Sequence, residues 1–206
     1  GTARVKDLAT IAGVRDNQLT GYGLVVGLDG TGDKGRTGFT QQTIANMLEG
    51  LGLSLSADAV KVKNVAAVVI TATLPAYSQP GGRIDVVVNS IGDATDLKGG
   101  TLVQTPLRGA DGEVYAVAQG PLSVGGFNVE GAGGTSVQRN HVTVGRIPNG
   151  AIVEREVPTS FMEAGNLQVS LREPDFTTAS RMARAINSAL GAPVALALSP
   201  GTISVY

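Results

Sequence analysis

Apolar and polar residues alternate over long stretches of the chain, and this two-residue period marks it as mostly strand. Over residues 83–90 the alternation puts Ile84, Val86 and Val88 on one face. Residues 60–75 read as a long strand, and residues 21–28 as a strand whose glycines admit close backbone neighbours. Residues 101–107 and 113–119 form an expected hairpin across 108–112, a connection containing Gly109 and Gly112. Strands at 141–146 and 151–157 are expected to be joined at Asn149-Gly150, a favoured hairpin pair. The glycine-rich segment 125–137 reads as a loop that becomes ordered on assembly.

Two segments switch to the helical period. Over 41–51, Ile44, Met47, Leu48 and Leu51 recur at i, i+3, i+4 and i+7, with Thr40 as N-cap and Gly50 and Gly52 as stop signals. Over 175–190, Phe176, Ala179, Met182, Ala183, Ile186 and Leu190 form one apolar face between Asp175 as N-cap and Gly191 as terminating glycine. Strands at 167–171 and from 202 flank this helix. The pattern predicts an α+β fold: a β-rich first domain, residues 1–157, with one helix near 41–51, then a small α/β strand-helix-strand module, residues 158–206. Residues 201–206 read as a strand cut in mid-alternation, so the module is expected to be partial.

Composition sharpens this. Gly occurs 29 times in 206 residues, about double its usual share of roughly 7%. Aromatics are 4% and Trp is absent, so the core must come from Val, Ile, Leu and Ala. A net charge of -1 without long like-charged runs argues against a nucleic-acid partner, which needs a basic surface. The longest apolar run, 65–74, is too short to span a membrane. With no cysteine in the chain, disulfides, thiolate catalysis and Cys-bound zinc are excluded within it.

Gly27 to Lys34 is not a phosphate-binding loop, because Asp33 follows Gly32 where a lysine is needed and no Ser or Thr follows Lys34. Gly21-Tyr22-Gly23 has its next glycine, Gly27, one place late for a dinucleotide fingerprint. His141 is the only histidine, so no His-based metal cluster or triad is expected around it. Asp85, Asp93, Asp96, Asp111 and Glu113 could serve as paired carboxylates, but their neighbours are turn formers, and shaping turns is the expected role. Asp29 and Asp33 could hold a cation, yet lack a terminal bidentate partner. Lys61 and Lys63 are expected on one strand face, with Arg83 and Lys98 flanking the next strand to make a small positive patch. No catalytic residue, metal or cofactor is expected.

Read jointly, Gly13-Val14-Arg15-Asp16-Asn17-Gln18-Leu19 and Gly21-Tyr22-Gly23-Leu24-Val25-Val26-Gly27-Leu28-Asp29-Gly30-Thr31-Gly32-Asp33 closely resemble the flagellar P-ring protein family. So do Lys63-Asn64-Val65-Ala66-Ala67-Val68, Val114-Tyr115-Ala116-Val117-Ala118-Gln119-Gly120, Asn149-Gly150-Ala151-Ile152-Val153-Glu154-Arg155-Glu156 and Asp175-Phe176-Thr177-Thr178-Ala179. The resemblance implies a structural, non-enzymatic subunit, exported to the periplasm by a cleaved signal peptide. It implies partners as well: further copies of itself in a closed ring, the distal rod of the flagellum, the L-ring protein, peptidoglycan and an assembly chaperone. In that family, basic positions on the ring's inner side are thought to face an acidic rod. The first matches Lys63. The second falls at Thr95, a departure, although Lys98 nearby keeps the basic character. Two rivals are a peptidoglycan- or sugar-binding protein using Asp85, Asp93 or Glu113, and a secretin-like ring module.

Overall fold

The computed structural model describes residues 2–34, 39–50, 62–125, 142–159, 162–163 and 165–206. The chain opens with a helical turn α1 (Val5–Leu8) and strand β1 (Ala9–Ile11), followed by β2 (Asn17–Val26), helix α2 (Phe39–Gly50), β3 (Ala66–Leu74), β4 (Arg83–Ser90), β5 (Thr101–Arg108), β6 (Val114–Pro121) and β7 (Val144–Val153). Then come β8 (Met162–Glu163), β9 (Asn166–Leu171), helix α3 (Phe176–Leu190), β10 (Ala195–Ser199) and β11 (Thr202–Val205). This is the α+β class read from the sequence. Contacts divide the chain into one unit of Asn17–Glu156 and another that joins Gly1–Asp16 to Val157–Tyr206.

The first of these is a closed antiparallel barrel in the order β2-β3-β4-β7-β6-β5. Alternation drives it: Val68, Ile70, Val86, Val88 and Leu107 are fully buried, while Thr71, Thr73 and Asp85 between them are exposed. Gly21 and Gly23 explain how β2 meets β5. A side chain at Gly21 would sit 2.6 Å from the Pro106 carbonyl oxygen, and one at Gly23 would strike the Thr105 hydroxyl. Pro106 has no N–H to donate, and the β2–β5 register shifts between Thr20 and Val25. Glycine packing thus closes a seam that a regular hydrogen-bond ladder does not. Helix α2 lies on the outside, where Ile44 and Met47 meet Leu24, Val26, Val65 and Ala67. It begins at Phe39, so Thr40 is inside the first turn and not the N-cap; Leu51 lies outside the described residues.

Two expectations for the barrel are corrected. The predicted hairpin at Asn149-Gly150 is absent, because β7 runs straight through and bulges. Val86 pairs with Ile147 and Ile84 with Ala151, so β7 spends four residues where β4 spends two. Asn149 takes a left-handed φ of 51°, and its N–H donates to Asp85 Oδ1 at 2.7 Å. The left-handed residue is Asn149 alone, and it serves a bulge instead of a hairpin. The strand predicted from residue 60 starts only at Ala66: Val62–Asn64 is a 3-10 turn whose carbonyls at Lys63 and Asn64 accept from Gly32 and Leu28. Residues 126–137, most of the expected mobile loop, fall outside the described residues, as do Lys61 and His141.

In the second unit the sheet order is β1-β9-β11-β10, with β8 on β9. Ala179, Met182 and Ala183 of α3 bury against Val169, Leu171, Ala195 and Ile203. The helix ends are as the sequence predicts. Asp175 accepts from the Thr178 amide and Gly191 closes the helix with φ 67°. Phe176 and Leu190, expected on the apolar face, are exposed at its two ends. Strand β10 was not foreseen. Residues 1–16, read as part of the β-rich domain, bring β1 to the edge of β9. Among the described residues no helix is long and apolar enough to cross a membrane.

A candidate binding face at one end of the barrel

Because the barrel is antiparallel, the exits of β2, β4 and β6 and the entries of β3, β5 and β7 lie at one end. Segment 91–100 leaves β4 and enters β5, which are not neighbours in the barrel, so it must cross this mouth. Its Ala94 and Leu97 are buried, and so is Leu28. Burial of the two leucine side chains, each worth roughly 1.5–3 kcal/mol when complete, pins the crossing in place.

Residues 28–34 lie between this crossing and the 3-10 turn. On one side, Gly32 donates to the Lys63 carbonyl at 2.7 Å and Asp33 to Val65 at 2.8 Å. On the other, the Thr95 amide donates to the Thr31 carbonyl at 2.8 Å, and the Thr31 hydroxyl to the Asp96 carbonyl at 2.8 Å. Asp33 itself is 1% exposed. Its Oδ2 accepts from the Ala67 amide at 2.8 Å and its Oδ1 from the Ala94 amide at 2.9 Å.

The structure therefore puts Lys63 and Lys98 at the same end of the barrel, both exposed, with Lys34 on the intervening segment. Among the described residues neither Lys63 nor Lys98 forms a salt bridge. Thr95 is exposed beside them. Arg83, expected in the same patch, begins β4 and so sits at the opposite end, where its guanidinium donates to the Asn149 carbonyl at 3.4 Å. The placement of Lys63 on a strand face is likewise replaced by the 3-10 turn. The face is mixed in charge, since Asp29 is exposed there and Asp93 and Asp96 are half-buried.

The candidate carboxylates are committed to local structure. Asp93 accepts from the Lys34 amide at 2.7 Å and Asp96 from the Lys98 amide at 2.8 Å. Asp85 holds the β7 bulge. Asp111 accepts from the Tyr115 hydroxyl and the Glu113 amide, and Glu113 pairs with Arg155 at 2.9 Å. The Tyr115 hydrogen bond, then the Glu113 amide, holds the Asp111 carboxyl below the usual carboxylate range, and the same Asp111 bond raises the Tyr115 phenol. Among the described residues no group of three or more metal-ligating side chains gathers. The buried role of Asp33 has no signal in the sequence, where it stands out only against a phosphate loop and as a cation ligand; its partners lie 34 and 61 residues away, beyond any local pattern.

The family model described as flagellar P-ring protein matches residues 4–206. The chain is 54% identical over 202 residues to the flagellar P-ring protein of Geobacter sulfurreducens, covering 98% of this chain and 55% of that relative. It is 55% identical over 204 residues to the flagellar P-ring protein of Vibrio vulnificus, covering 98% and 56%. With that of Paramagnetospirillum magneticum the identity is 53% over 212 residues, covering 100% and 54%. The chain spans a little over half the length of these relatives.

Proposed function

The chain belongs to the flagellar P-ring protein family, and from that premise we propose that it is a structural subunit, without enzymatic activity, of a closed ring around the flagellar rod. The observation that carries this reading is identity above one half across nearly the whole chain with proteins of that name. The subunit works in the periplasm after signal-peptide cleavage, at the peptidoglycan layer. Copies of itself, the distal rod, the L-ring protein, peptidoglycan and an assembly chaperone are its partners. Its neighbours in the ring meet through heterologous contacts that close on themselves.

Lys63 and Lys98 face the rod. Exposed lysines on a face of mixed charge give a weak, screened attraction to an acidic surface. Such an attraction centres a rotating rod without the resistance that buried salt bridges would offer. The test is complementation of a strain lacking its own P-ring protein with the full-length protein, followed by electron microscopy of purified basal bodies. The expected result is a restored P ring. Basal bodies that still lack the ring, with the protein present and folded, would remove the proposal. Hydrolysis of purified sacculi by the chain would instead favour the carboxylate-based rival.

A further inference from the structure

We propose that Asp33 is the positioning residue of the lysine-bearing face: its buried carboxylate locks the segments that carry Lys63 and Lys98 into one fixed arrangement. The inference deepens the reading of those lysines as rod contacts, but its geometric core stands without it. Each carboxylate oxygen takes an amide from a different segment: Ala67, just after the turn that carries Lys63, and Ala94, just before Lys98. Hydrogen bonds to a charged acceptor are stronger than neutral ones, and here both run through a side chain that is 1% exposed.

The surroundings are built for this group. A side chain at Gly92 would overlap the Asp33 carboxylate, with its Cβ 2.6 Å from Cγ, and one at Gly32 would sit 2.7 Å from the Lys63 carbonyl oxygen. An asparagine at position 33 can accept only one of the two amides, because its other terminus is a donor. An alanine accepts neither, and leaves two buried N–H groups without this acceptor. The lysines project from loops, and loops drift unless a buried interaction fixes them.

The chain has no cysteine, so introduced cysteines label only the chosen positions. In the 206-residue chain carrying Lys63→Cys and Lys98→Cys, spin-label distance measurement should give one narrow distribution. Adding Asp33→Ala should broaden it by about twofold, with Asp33→Asn in between. A control pair on the barrel wall, Thr71→Cys and Gln104→Cys, should not change. If Asp33→Ala does not fold, the near-isosteric Asp33→Asn carries the comparison. An unchanged Lys63–Lys98 distribution in a folded variant would overturn the proposal, and so would equal broadening of the control pair, which would mean a general loss of structure. These outcomes are independent of the rod contact: a Lys63→Asp protein that builds normal rings would end that reading and leave the distance result untouched.

Discussion

At the residue scale, the glycines and Asp33 show how differently two features of one segment can be read. Gly21 and Gly23 announce a close approach, and β5 supplies it: the Pro106 backbone at Gly21 and the Thr105 side chain at Gly23. A single methyl at Gly21 pushes directly on the main-chain oxygen of Pro106, 2.6 Å away, which cannot swing aside as a flexible side chain would. Gly21→Ala is therefore expected to cost about 1–3 kcal/mol, read as a lower urea midpoint at unchanged slope. A midpoint equal to that of the parent would mean that the β2–β5 seam is not tightly packed. Asp33 could not be read in the same way. An aspartate after Gly-Thr-Gly looks like a loop residue, and only the barrel, by bringing residues 67 and 94 to it, makes it a buried anchor.

Elements were legible where period and caps agree. Helix α3 follows its predicted caps because Asp175 and Gly191 act locally, within a turn of the helix. The Thr178 hydroxyl, then its amide, holds the Asp175 carboxyl below the usual carboxylate range. A carboxyl whose folded pKa is depressed adds stability above its unfolded pKa, and that stability fades as pH falls through the folded value. Asp175→Asn should thus flatten the acid limb of the thermal stability profile below about pH 4, seen by circular dichroism; an acid limb as steep as the parent's would contradict the assignment. Strand β10 was missed because its period was overshadowed by an Ala- and Leu-rich composition that suits helix as well. Its burial is uneven. Ile203→Ala on β11, at 0% exposure, is expected to cost about 2–5 kcal/mol, whereas Leu198→Ala, at 54%, should stay within about 0.5 kcal/mol. The Asn149-Gly150 pair was misread for a related reason: left-handed backbone serves a hairpin and a bulge alike, and the choice lies with Asp85 on the neighbouring strand.

For the whole molecule, the joint pattern of motifs identified the family, while the division into units did not follow chain order. Strand β1 has its partner β9 far along the sequence, and a three-residue strand carries too little period to announce such a pairing. The two lysines are likewise brought to one barrel end by topology, which no spacing between residues 63 and 98 reveals. A net charge of -1 gives no overall field toward an acidic surface, so the proposed rod contact rests on the placement of a few cations. The most direct measurement is motility and basal-body microscopy of a P-ring-deficient strain complemented with full-length protein carrying Lys63→Asp, beside Lys63→Arg. Lys63 is exposed, so both variants should fold and accumulate as the parent does. Charge reversal is expected to impair ring formation and swimming, while Lys63→Arg supports both. Normal rings and normal swimming from a stable Lys63→Asp protein would contradict the proposed rod contact.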